Sequence, residues 1–194
     1  GHWSRDMTDN IVIDVVERYD VSQYGLVFEK QAIAFHLQRA VVLQGEDIIK
    51  QWQTQLSPYP EELAVAMVQK HLNFRPFDGQ HILTDRLEIP MLYENKCAIV
   101  RRLLNILFGL NRIYHPGFKW TRYWAEEMSI KPSSFFNRLE RVFQSDAVSG
   151  IHELRQLVEE VFDLVERTLP QVDLKQQREV FERTYPRWKL PADD

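Results

Sequence analysis

One cysteine in 194 residues rules out an internal disulfide and leaves no set of thiolates for a structural zinc site. That residue, Cys97, sits inside an apolar helical run, so it reads as a reduced thiol packed in the core of a cytoplasmic protein. Glycine is scarce, at 7 residues, and none belongs to a Gly-rich loop that could cradle phosphates. No stretch approaches the run of about 20 apolar residues needed to cross a bilayer. The opening "GHWSRDMTDN" lacks the charged-then-apolar pattern of a signal peptide, so no membrane partner is expected. Neither sign of charge dominates: 24 Lys and Arg against 28 Asp and Glu leave a formal net of −4. Nothing pulls the whole chain onto nucleic acid, and an anion site must come from a local cluster of cations. An HExxH helix, a nucleophile elbow and a Cys/His ligand set are also missing, so no catalytic residue and no metal ligand is assigned.

What the chain has is helical periodicity. Apolar residues recur every three to four positions, sustained alternation is rare, and the pattern predicts an all-α, antiparallel bundle of about eight helices. A first helix places Ile11, Val15 and Tyr19 on one stripe, with Thr8 or Asp9 as N-cap. A second carries Val27, Phe28, Ile33, Ala34 and Leu37, and a vestigial strand is expected near 39–43, turned by Gly45. Further helices follow Glu46 and Pro60, whereas Asn73 to Arg86 reads as mostly loop. From about Pro90 a long helix runs toward Tyr114. With Ile99, Leu103, Ile106, Leu107, Leu110 and Ile113 it is nearly apolar all round in its second half, the pattern of a central helix. Burying six such side chains contributes on the order of 10 kcal/mol before chain entropy is subtracted. Four more helices are expected after Pro116-Gly117, one starting at Pro132, one at Gly150 and a final polar one over Val172–Tyr185.

Several polar residues read as structural. The six histidines show no pair at the i, i+4 spacing that would put two imidazoles on one face. Asp6 and Asp9 suit a helix start. Arg183, Tyr185, Arg187 and Trp188 could stack on a nucleic-acid strand, but they suit a tail laid across the bundle better.

The segment "LNRIYHPGFKW", Leu110 to Trp120, is different. It gathers two cations, a histidine and large aromatics around a Pro-Gly bend at the end of the central helix. Two readings stand. Arg112 and Lys119 can cap the spent carbonyls of the helix while Tyr114 and Trp120 fill the corner. Alternatively, Lys119 can offer its ammonium to a phosphate oxygen.

The wider segment "LLNILFGLNRIYHPGFKW" resembles the "LLxxLFALNRxYxPGxKW" pattern of the helical domain that follows the catalytic domain in a family of predicted nucleotidyltransferases, a domain catalogued as of unknown function. More loosely it is similar to the "ARxWYTLxTGxxxSK" element of aminoglycoside adenylyltransferases. "VVLQGEDIIKQWQTQLSPYPEELAVAMVQKHL" resembles the same domain's upstream region, so the likeness covers most of the chain. The resemblance implies a helical domain that closes over a nucleoside triphosphate and an acceptor. Lys119 and Arg112 would bind its phosphates, and Asn111, Tyr114, His115 and Trp120 would line the cleft. Magnesium would be held by a catalytic domain supplied in cis or in trans.

This sequence departs from the family at the catalytic half. It contains no Gly-Ser turn followed by an Asp-x-Asp pair, the carboxylates that hold metal on the triphosphate. The expectation is therefore a helical domain at 8–190 that is inactive alone. Residues 1–7 read as the end of a missing catalytic domain, or Gly1-His2 as a remnant of tag removal, and 191–194 as a tail. The alternative is a non-catalytic helical protein-interaction module.

Overall fold

The structure is a computed structural model that describes residues 28–186. Among the described residues there are nine α-helices and no strand, the all-α architecture that the periodicity predicts. They are α1 (Phe28–Gln38), α2 (Glu46–Gln55), α3 (Glu61–His71), α4 (Gly79–Asp85), α5 (Ile89–Leu110), α6 (Thr121–Glu126), α7 (Phe135–Gln144), α8 (Ala147–Thr168) and α9 (Lys175–Glu182). A 3-10 turn, Phe118–Trp120, precedes α6. The expected helix through Ile11 and Tyr19, the segment 1–7, Val27, Arg187, Trp188 and the tail at 191–194 lie outside the described residues. No helix among the described residues is long and apolar enough to cross a membrane.

The strand expected near 39–43 does not form. Val41 is 86% and Leu43 90% exposed, and among the described residues no second strand completes a ladder, so the segment runs as an irregular link. It reaches α2 through Gly45, whose φ of 74° lies in the left-handed region that glycine tolerates.

The chain forms two compact units. The first holds described residues 28–71 and 105–130. Its core joins Phe35 of α1, Leu56 and Tyr59 of the α2–α3 link, Leu63 and Met67 of α3, and Tyr114. Gly109 lets α5 lie close to α3: a Cβ there would sit 3.2 Å from Met67 Cβ and 3.5 Å from the Ala64 carbonyl.

The second unit holds described residues 72–104 and 131–186. Asp146 starts α8, its Oδ1 accepting the N–H groups of Val148 and Ser149 at 3.0 Å each, so the helix begins ahead of the predicted Gly150. Ile151, Leu154, Leu157, Val158, Val161 and Val165 are buried as their spacing requires. Pro132 precedes α7 by three residues, because Ser133 and Ser134 turn before the helix starts. Phe162 packs edge-on against Phe74 and Phe181, at 5.5 and 5.4 Å. The Phe77 N–H donates to the Phe181 carbonyl at 3.0 Å. Those buried anchors explain α4, which forms inside a stretch that local composition reads as loop: tertiary packing holds one short helix where propensity alone does not.

Cys97 also differs from expectation. It is exposed, and its neighbour Lys96 is the residue that faces inward, only 1% exposed. Leu92, Lys96 and Leu103 share the buried stripe of α5, and one residue of helix rotates Cys97 about 100° away from it.

Candidate functional site

The Leu110–Trp120 corner belongs to the first unit, and its geometry follows from how α5 ends. The Ile113 N–H donates to the Phe108 carbonyl at 3.0 Å, and the Arg112 N–H to the Gly109 carbonyl at 3.1 Å. This pair of bonds is a Schellman termination, with Arg112 in the left-handed position usually given to glycine, at φ 53°. The Arg112 side chain then closes the end: Nη1 donates to the Leu110 carbonyl at 2.5 Å, and Nη2 donates to both carboxylate oxygens of Glu61 at 2.7 and 2.8 Å. Arg112 thus follows the capping reading, and an incoming phosphate would have to displace Glu61.

Asn111 staples the corner to the residues after α6. Its Nδ2 donates to the carbonyls of Leu107, at 2.7 Å, and Ile130, at 2.8 Å, while Oδ1 accepts the Ile130 N–H at 2.9 Å.

Tyr114 and His115, expected along a cleft, are interior residues, 2% and 0% exposed. An apolar helix end turning back onto its own unit carries them inward. The Tyr114 ring lies 4.7 Å from Tyr59, its hydroxyl points to the Leu56 carbonyl at 3.4 Å, and burial pushes its pKa up to about 12. His115 is held at both ends: its backbone N–H donates to Gln31 Oε1 at 3.0 Å, and its ring Nδ1 accepts the Gly117 N–H at 3.1 Å. Accepting at Nδ1 places the ring proton on Nε2. Burial first, and the charge of His71 second, lower the His115 pKa to about 4, so the ring is neutral near pH 7. Gly117 itself has φ 92°, a conformation that calls for glycine after the proline.

What reaches solvent lies just beyond the bend. Lys119 is exposed, and among the described residues no hydrogen bond or ion pair holds its ammonium. Trp120 and Tyr123 are each 58% exposed, with ring centroids 6.5 Å apart. Tyr123 meets Trp124 edge-on at 4.9 Å, and Trp124 meets Phe35 at 4.9 Å. The Arg39 guanidinium lies over both Phe35 and Trp124, at 4.0 and 4.9 Å. The result is an aromatic edge flanked by two cations. Helix α6 has only six residues, so any anion binding here rests on side chains and not on a helix end.

The sequence reading named Lys119 and Trp120 but missed Tyr123 and Arg39. The spacing of Trp120, Tyr123 and Trp124, at i, i+3 and i+4, marks one helix face and was available as a signal. Arg39 lies far away along the chain, and only the fold brings it to Trp124.

Among the described residues no group of three or more His, Cys, Asp or Glu could hold a metal ion. Residues 26–121 match a family described as a domain of unknown function (DUF4037), and the Leu103–Trp120 segment lies inside that match. No curated protein and no solved structure matches the chain.

Proposed function

We propose that the chain is the helical, nucleotide-closing domain of a nucleotidyltransferase. The carboxylates for metal and acceptor activation would come from a catalytic domain in cis or in trans. Lys119 meets the phosphates of a nucleoside triphosphate, and Trp120 and Tyr123 offer ring faces to its base. The observation that carries the reading is the exposed ammonium of Lys119, which has no hydrogen-bond or ion-pair partner among the described residues, beside that aromatic edge, in the segment that resembles the nucleotidyltransferase-associated domain. Arg112, Asn111 and His115 are positioning residues: they hold the bend that presents Lys119. Alone, the chain transfers no nucleotide.

Isothermal titration with ATP and magnesium on the wild type and on Lys119→Ala tests this. Weak saturable binding that falls at least about tenfold in the variant is the expected result, the loss of one charge-assisted phosphate contact. Equal heats for both proteins would remove the phosphate role.

The second reading, a non-catalytic interaction module, is favoured by Val41, Leu43 and Ile48, which stand 86%, 90% and 53% exposed around the link from α1 to α2. A stable protein complex lost on Leu43→Asp, together with no response to nucleotide, is the outcome that selects it.

A further inference from the structure

The second unit contains an open cavity of about 550 Å³, within the range of small-molecule sites. Its walls come from the segment ahead of α4, from α4 and from the first half of α5. Phe74, Phe77 and Ile99 supply apolar surface, and the exposed Tyr185 stands at the wall, its backbone N–H donating to Asp78 Oδ2 at 2.9 Å. Two guanidinium groups, Arg75 and Arg102, line the same cavity. Among the described residues no hydrogen bond or ion pair holds either of them, although structural arginines elsewhere in this unit are saturated: Arg138 reaches Glu153 and Glu160, and Arg178 reaches Asp163 and Glu166. Burial and the like charge of Arg75 both lower the Arg102 pKa, so the pair is uncomfortable as it stands. Glu94 is the one carboxylate among the lining residues, which leaves the cavity net positive. Gln80, also in the wall, is 8% exposed, and its side-chain Oε1 is buried with no hydrogen-bond partner. A buried acceptor left unpaired is costly, and the cost is recovered when a ligand supplies a donor.

We propose that this cavity binds a phosphate monoester with a flat apolar body. Arg75 and Arg102 grip the phosphate, the phenylalanine-lined wall takes the body, and Gln80 reads an O–H or N–H on it. Two forks of like charge call for a dianion in preference to a single carboxylate, because the second negative charge relieves the repulsion that one would leave. The site is separate from the Lys119 corner and does not rest on the nucleotide reading.

The experiment is isothermal titration of the full chain with phenyl phosphate, 4-hydroxyphenyl phosphate, inorganic phosphate and benzoate. Phenyl phosphate is expected to bind saturably and more tightly than inorganic phosphate or benzoate, and 4-hydroxyphenyl phosphate more tightly still. Arg75→Ala and Arg102→Ala should each weaken phenyl phosphate at least about tenfold. Gln80→Leu should abolish the preference for the hydroxylated ring, and Lys119→Ala should leave every value unchanged. The melting temperature of Arg102→Ala without ligand should hold or rise, since a like-charge contact is removed. Arg102→Lys keeps the charge and loses the fork, and intermediate binding is expected even if the alanine variant folds poorly. No saturable heat with phenyl phosphate, benzoate binding as tightly, or unchanged affinity in both arginine variants would overturn the proposal.

Discussion

The Arg112 guanidinium stands 2.7 and 2.8 Å from the two carboxylate oxygens of Glu61, a bidentate pair that ties the end of α5 to the start of α3. Its backbone meanwhile occupies the left-handed region at φ 53°. The two features act in opposite directions, which separates two substitutions.

Arg112→Ala keeps the left-handed backbone and loses the pair. Because the partners are 29% and 55% exposed, that loss is expected to cost no more than about 1 kcal/mol. Arg112→Gly loses the same pair but relieves a backbone cost of roughly 1 kcal/mol, so it should be close to neutral. Urea midpoints of the two variants check the difference. Equal destabilisation would mean that the left-handed residue carries no cost here.

The buried His115 makes a pH prediction. Its pKa is lowered from 6.5 to about 4, so between those values the unfolded chain binds the extra proton and the folded chain does not. Stability from this group is complete above pH 6.5 and declines as the pH falls toward 4, by roughly 3 kcal/mol at most. Protonation would also set an Nδ1–H against the Gly117 N–H that Nδ1 now accepts. His115→Asn, whose side-chain oxygen can take that N–H, should flatten the slope of unfolding free energy between pH 4.5 and 6.5. An unchanged slope would assign the acid sensitivity to other groups.

Periodicity made the helical fold legible, and it was most informative where side chains of one kind repeat. Leu103, Ile106, Leu107 and Leu110 are buried as their spacing predicts, with Phe108 beside them, whereas Ile99 and Ile113 at the two ends of that stripe are half-buried. It failed where a single polar residue takes a core position. Lys96 lies on the buried stripe because its ammonium finds a carbonyl on α7, a partner 46 residues away that no local pattern reveals. α4 was hidden for a related reason, since Phe74 and Phe77 anchor it to Phe162 and Phe181 across the sequence. At the corner, residue types pointed to chemistry, but orientation was unreadable. The bend turns His115 and Tyr114 inward and Lys119 outward, and which side of Pro116-Gly117 faces solvent depends on packing against Gln31 and Phe108.

Asn111 tests how firmly that bend is held. Asn111→Ala removes one acceptor and two donated bonds to Leu107 and Ile130, and a loss of about 1–3 kcal/mol is expected. Asn111→Asp keeps the acceptor for the Ile130 N–H but turns an anionic oxygen toward two carbonyls, so it should be worse than alanine. Thermal melts of the pair decide the order. Aspartate matching the wild type would show that the amide donors contribute nothing.

Lys96 and Gly150 make one contact of three parts, and their coupling is the strictest test of the second unit. Lys96 Nζ donates to the Val142 carbonyl at 3.0 Å, in the last turn of α7, where the helix dipole favours a cation. Burial lowers the Lys96 pKa, and the charge of Asp146 partly restores it. Gly150 lets α8 approach: a Cβ there would sit 2.4 Å from the Val142 oxygen and 2.8 Å from Lys96 Nζ. Gly150→Ala must therefore push α8 away from a backbone carbonyl that cannot yield, and a loss of about 2–4 kcal/mol is expected even though alanine favours a helix. Lys96→Met keeps the length of the side chain and leaves the Val142 oxygen without its donor, for about 1–3 kcal/mol. Once Gly150→Ala has forced the elements apart, the ammonium has already lost its carbonyl. The double variant should then cost less than the sum of the singles, by 0.5 kcal/mol or more in a denaturation cycle. Strict additivity would mean that the lysine and the glycine act on α7 independently.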